Sequence, residues 1–249
     1  MTRTRSYILA TAPRSGSTLL CTLLAATGQA GAPDSHVHHP SVARWAEALG
    51  MQIAPDDDSL SSLRRVLEAV RIAGEGGTGM FGLRLQRHSM PYLMAQLDRL
   101  HPGLSESARL SAAFDNPRYL HLRRGDELGQ AISLVRAQQT GLWHRAADGS
   151  ELERLAPPAE PRYDRDALSA ALAESQALNA GWEAWFRAEG VVPLSLTYEE
   201  LARDPGAVLA RVLDFLGLDP AMAEGVEPGT QKLADAVSDS WRARYLAGC

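Results

Sequence analysis

Apolar residues in this chain fall into short, nearly continuous runs and longer runs spaced by three or four positions. The short runs are residues 6–12 (SYILATA), 80–85 (MFGLRL), 118–122 (RYLHL) and 191–197 (VVPLSLT). Each predicts a buried strand. Helical spacing covers 17–27, stopped by Gly28, and then 41–49 and 59–73, where Leu60, Leu63, Leu67 and Val70 share a face. It returns at 91–100, from a cap at Asp126 to about Thr140, at 165–189 and at 205–216. In the 165–189 helix, Leu168, Leu172, Leu178, Trp182, Trp185 and Phe186 form one apolar face, read as core packing. Residues 29–40, 74–79 (GEGGTG) and 143–163 read as loops, the last carrying Pro157, Pro158 and Pro161. Alternating strands and helices predict a single α/β domain over 1–249 with a largely parallel central sheet. Helical insertions near 41–73 and 143–189 are expected to cap it.

Composition narrows the function class. With 45% hydrophobic and 22% charged residues, the chain suits a soluble domain with a sizeable core. A formal net charge of −5 disfavours a broad nucleic-acid surface, while leaving room for a local anion site. The two cysteines, Cys21 and Cys249, make no disulfide framework, so a cytoplasmic location is expected. Arg3 and Arg5 ahead of 6–12 resemble the start of a secretory leader, but the apolar stretch is too short and Arg14 follows at once. No run is long enough for a membrane span.

Candidate chemistry concentrates in Pro13-Arg14-Ser15-Gly16-Ser17-Thr18, between the first strand and the first helix. Such a turn aims backbone amides at one point, and the helix start adds about half a positive charge. Gly16 permits close approach, Ser15, Ser17 and Thr18 supply hydroxyls, and Arg14 supplies a full charge. A serine-capped helix start would also fit these residues; the coincidence of strand, small turn, arginine and helix favours an anion site. The GxxxxGK[ST] spacing and its lysine are absent, which counts against a triphosphatase.

The chain resembles the bacterial trehalose 2-sulfotransferase family. The resemblance is carried by PRSGSTLL at 13–20, ATGQAGAP at 26–33, RGDELGQAISLVRAQQT at 124–140, GWEAWFRAEGVVP at 181–193 and SDSWRARY at 238–245. It implies a P-loop-like three-layer sandwich and transfer of a sulfuryl group from 3′-phosphoadenosine 5′-phosphosulfate (PAPS) to a hydroxyl. The acceptor would be a carbohydrate such as trehalose or another small metabolite. No metal is required in such a family, and a homodimer is implied. Arg14, Ser15, Gly16, Ser17 and Thr18 would hold the 5′-phosphosulfate; Arg124 and Ser133 would bind the 3′-phosphate. Ser133 lies about 10 Å up its helix from the Asp126 cap, within reach of a phosphate at the strand end. Arg84 matches a family cation that stabilises the transferring group, and Lys232 aligns roughly with a basic family position.

One departure concerns the base. The family carries a glutamate shortly after its Gly-x-Pro segment, and aligning Gly31-Ala32-Pro33 puts Ser35 there. His36 is the preferred substitute, because an ordinary histidine titrates near pH 6.5, with Asp34 as the second choice. His36, His38 and His39 also invite a metal reading, a weak one without a separated fourth ligand, so no metal is expected. Trp143 is the better aromatic candidate for touching a sugar. Two alternatives stay open: a catalytically impaired module that binds PAPS or its product 3′-phosphoadenosine 5′-phosphate (PAP), and a small-molecule phosphotransferase of related fold.

Overall fold

A computed structural model describes residues 5–54, 56–146, 148–229 and 235–248. The chain runs β1 (Arg5–Thr11), α1 (Ser17–Ala26), α2 (Val42–Ala48), α3 (Leu60–Glu75), β2 (Met80–Gln86), α4 (Met90–Leu100), α5 (Glu106–Phe114) and β3 (Arg118–Arg123). It continues with α6 (Glu127–Thr140), β4 (Leu142–Arg145), β5 (Glu151–Arg154), α7 (Arg165–Glu189), β6 (Leu194–Thr197), α8 (Tyr198–Arg203), α9 (Pro205–Leu216) and α10 (Ala236–Leu246). Four strands pair in the order β2-β1-β3-β6, all parallel, and β4 pairs with β5 as a separate antiparallel hairpin.

The sheet is buried on both faces, which is why its strands read as unbroken apolar runs. On one face Ile8, Ala10, Phe81, Leu83 and Leu85 pack under α2 through α5 and α7. Helices α2, α3 and α7, from the segments expected as insertions, form this layer through Trp45, Val66, Val70, Trp182 and Phe186. On the opposite face Tyr7, Leu9, Leu120, Leu122 and Leu196 pack against α1, α8 and α9. The result is a three-layer α/β sandwich. A third cluster joins α6, α7 and α10 through Ile132, Val135, Leu168 and Trp241.

Five elements, β4, β5, α5, α8 and α10, differ from the sequence reading. The loop expected over 143–163 begins inside the β4–β5 hairpin, whose four-residue strands, partly buried in β4 and mostly exposed in β5, are too short to show apolar alternation. Helix α5, capped by Ser105, and α10, capped by Asp235, are short and were not separable from their flanks. Lys232 lies outside the described residues.

Chain order sets the location of the site. From β1 the chain crosses to β2 on one side and then to β3 on the other, so the carboxyl ends of β1 and β3 flank a topological switch point, where α/β sheets bind ligands. Trp182 fixes that end: its Nε1–H donates to the Thr11 carbonyl at 2.8 Å, while the Thr11 hydroxyl donates to the Leu122 carbonyl at 3.0 Å. Truncating Trp182 to Ala removes a fully buried ring and leaves that carbonyl unpaired. A loss of about 3–5 kcal/mol is expected in urea unfolding.

Candidate active site

Beyond β1, the chain turns sharply enough to put Arg14 at φ 62 and Gly16 at φ 87. Both lie in the left-handed region, which glycine tolerates and arginine rarely adopts. A Cβ on Gly16 would sit 2.5 Å from Cδ2 of Tyr198, so glycine is required by space as well as by backbone angle. Gly16 is the N-cap of α1 and offers no side-chain acceptor, and the first turn holds no acidic residue. The leading amides of α1 therefore keep their donors for something else. Ser15 is fully buried, its hydroxyl hydrogen-bonded to that of Thr11, and it anchors the turn from beneath.

Arg14 reaches across to α6 and the hairpin. Its Nε donates to Ser133 Oγ at 3.0 Å and its Nη1 to the Trp143 carbonyl at 2.6 Å, with the Trp143 ring centroid 5.8 Å from the guanidinium. It makes no ion pair among the described residues. Burial, then the neighbouring Arg124 charge, lower its pKa to about 10, which leaves it cationic at neutral pH. A charge held in that way favours any anion that enters.

Arg84 projects from β2 on the other side of the turn. Its Nη1 donates to Thr18 Oγ1 at 2.8 Å, its Nε to Ser35 Oγ at 2.8 Å, and its Nη2 pairs with Asp34 Oδ1 at 2.7 Å. The segment carrying Asp34 runs beside β2, bridging to Leu83. His36 borders the same cleft without a hydrogen bond to these groups: burial lowers its pKa, its ring is hydrogen-bonded to the backbone of Ala32, and its Nε2 is buried without a partner. His144 of β4 closes the group, with Nε2 at 3.1 Å from Thr18 Oγ1 and 3.4 Å from Glu153 Oε2. Burial, then Arg14 and Arg84, bring the His144 pKa down to about 4.

A second cationic corner lies at the end of β3. Arg124 is covered by the Tyr198 ring, 4.7 Å from its centroid, its Nε has no partner, and its Nη2 is 3.6 Å from Asp126 Oδ2. Asp126 caps α6 by accepting from the Gly129 amide at 3.0 Å, and Arg242 of α10 binds its other oxygen. Burial opposes ionisation of Asp126, but the bonds from Arg242 and Gly129 hold its carboxyl below the usual range. A Cβ on Gly129 would meet Nη2 of both Arg124 and Arg242 at 2.7 Å, so the two guanidinium groups converge over the start of α6. The turn, Arg84, Arg124, Ser133 and Arg242 all line one open cleft of about 1860 Å³; Ser15 lies beneath it.

The Stf0 sulphotransferase model matches residues 6–248. The chain belongs to the Stf0 sulphotransferase family. It is 31% identical over 262 residues to the trehalose 2-sulfotransferase of Mycobacterium tuberculosis, covering 98% of this chain and 95% of that one. With the trehalose 2-sulfotransferase of Mycolicibacterium smegmatis the identity is 30% over 259 residues, covering 96% and 94%. The family resemblance read from the five sequence segments is thus correct, and this Stf0 chain is an enzyme of sulfuryl transfer. Two solved structures also match: the sulfotransferase domain of a Synechococcus olefin synthase and a sulfotransferase from Alicyclobacillus acidocaldarius. Both have a TM-score of 0.45, with 17% and 15% identity; each covers 98% of this chain, and the chain covers 89% and 92% of theirs. At that score they add nothing to the fold drawn from strand order.

Within the Stf0 site, Arg14, Gly16, Ser17, Thr18, Arg84, Arg124 and Ser133 come together, and His36 does not touch them by hydrogen bond. Sequence reading missed Tyr198, Arg242 and His144. Tyr198 follows Thr197, whose capping box with Glu200 was the available sign of a helix start. Arg242 sits inside the SDSWRARY segment already singled out. His144 carried no local sign, because a polar hairpin brings it in. Among the described residues, no group of three or more His, Cys, Asp or Glu is arranged to hold a metal ion.

Gly16→Ala is expected to cost about 1–3 kcal/mol through left-handed strain and collision with Tyr198. A fall in melting temperature larger than that of Gly28→Ala, which shares the left-handed backbone but has open space around it, checks it.

Proposed function

We propose that this enzyme takes PAPS as donor and transfers its sulfuryl group to a carbohydrate hydroxyl, with trehalose the first acceptor to test. The observation that carries this reading is the half-buried Arg14, without an ion-pair partner among the described residues, beside the uncapped start of α1, with Arg124 at the end of the adjacent strand. That pairing suits a ligand with two separated phosphate-type groups. Arg14, Ser17, Thr18 and the amides around Gly16 would grip the 5′-phosphosulfate, with Ser15 bracing the turn. Arg124 and Ser133, joined by Arg242, would take the 3′-phosphate.

The chemistry asks little beyond charge and alignment. As the acceptor oxygen approaches sulfur, negative charge builds on the bridging oxygen toward phosphorus, where fixed donors stabilise it without reorganising. Arg84, 2.8 Å from Thr18, would carry that role for the transferring group. Trp143, whose carbonyl and ring both face Arg14, would border the acceptor. The trehalose 2-sulfotransferase relatives support the sugar acceptor, and the cysteine count supports the cytoplasmic location retained in this reading. No helix among the described residues is long and apolar enough to cross a membrane.

Incubation with PAPS and trehalose should yield PAP and a sulfated disaccharide. Arg14→Met should weaken PAP binding about 10- to 150-fold in calorimetry, the equivalent of one charge-assisted bond of about 1.5–3 kcal/mol. A wild-type protein that gives no heat with PAP sinks the proposal. PAP binding without product from any of a panel of hydroxylated acceptors would favour a binding module instead.

A further inference from the structure

Sulfuryl transfer to a hydroxyl requires somewhere for the hydroxyl proton to go, and the position expected to receive it holds Ser35. The structure commits the groups around that position elsewhere. Ser35 Oγ accepts from Arg84, Asp34 Oδ1 accepts from both Arg84 and the Ser35 amide, and His36 Nε2 is enclosed. One titratable group does stand at the anion turn. His144 reaches Thr18 from a different element, with Glu153 opposite it in the hairpin pairing.

We propose that His144 accepts the proton of the attacking hydroxyl, delivered to the turn by the β4–β5 hairpin and backed by Glu153. This rests on the sulfotransferase reading above. The hydroxyl oxygen forms a bond to sulfur, and the bond from sulfur to the bridging oxygen breaks. The electron pair leaves on the phosphate as PAP, and the proton passes to the imidazole, giving an imidazolium and a neutral-oxygen sulfate ester.

Three features equip His144 for this. First, Thr18 Oγ1 accepts from Arg84 and keeps its single hydrogen to give; in the tautomer protonated at Nδ1, Nε2 takes that hydrogen as a lone-pair acceptor. Donor oxygens that claim the Thr18 hydroxyl free Nε2 for the acceptor. Second, the charged groups facing the ring are Arg14 from the turn, Arg84 from β2 and Glu153 from β5. The two arginines, together with burial, keep the imidazole neutral in the free protein, so it is never spent on solvent protons near neutral pH. Third, an anionic donor between those arginines offsets their charge, so the imidazole becomes more basic once the donor is in place. Glu153 Oε2, 3.4 Å away, then stabilises the imidazolium.

The test compares wild type, His144→Gln, His36→Ala and Glu153→Gln. PAP affinity is read by calorimetry, and PAP release from PAPS is followed with trehalose and, separately, with water as acceptor. Near-UV circular dichroism checks folding. The glutamine keeps a polar contact to Thr18 but cannot take a proton. It should lower kcat roughly 100- to 10,000-fold with PAP affinity within about threefold of wild type. Glu153→Gln should move the acid limb of the kcat profile to lower pH, because the imidazolium loses its counter-charge. A kcat for His144→Gln within about tenfold of wild type overturns the proposal, as does an unmoved acid limb. So does a loss of PAP affinity in step with kcat, or His36→Ala abolishing turnover while His144→Gln keeps it. Failure of the underlying reading shows earlier and differently, as wild-type protein that neither binds PAP nor releases it.

Discussion

A guanidinium half-withdrawn from water, with no carboxylate paired to it, is an unfavourable thing to build, and Arg14 is in that state. Hydrogen bonds to Ser133 and to the Trp143 carbonyl satisfy its geometry but not its charge. Everything around it holds the charge where it is. The left-handed turn fixes the backbone, Ser15 and Thr11 tie the turn to the sheet, and Trp182 secures the strand end from behind. Stability given up at that point becomes affinity once an anion arrives.

The same logic separates the two cationic corners. Arg124 is partly compensated by Asp126, which also caps α6 and receives Arg242 from the last helix. The carboxylate thus sets the direction of two arginines and begins the helix that carries Ser133. Tyr198 links the corners, since one ring covers Arg124 and leaves no room for a side chain at Gly16. Parallel strand order supplies the spacing: Thr11 and Leu122 are neighbours in register, so the loops that follow them emerge side by side.

Much of this was legible in the sequence, for identifiable reasons. The four sheet strands announce themselves because burial on both faces leaves an uninterrupted apolar run, as in 6–12. The Arg14–Thr18 turn is legible because backbone chemistry dictates its residue types locally. Helix α7 is legible from six apolar residues on one face, including the two tryptophans that prove to be core. What escaped depends on distant partners. The β4–β5 hairpin is held by its own pairing, by Arg14 and by Trp143 against the α6–α7–α10 cluster, and its short, largely polar strands look like loop. Arg242 and Tyr198 matter only because α10 and α8 bring them to strand ends far away in sequence. The proposed base is the sharpest case: a one-dimensional alignment searches the neighbours of Ser35, whereas the proposal's His144 lies more than a hundred positions on.

The hairpin pairs strand to strand only with itself, contributes no strand to the parallel sheet, and meets the anion turn through the Trp143 carbonyl and the His144 ring. Its tip, around Asp148–Ser150, is a polar turn whose length is not dictated by any core contact. Insertions or deletions there would leave the sandwich and its grip on phosphate intact while reshaping the wall that an incoming alcohol meets. Divergence in what is sulfated can therefore proceed by editing a surface ribbon, with the costly parts of the scaffold inherited unchanged.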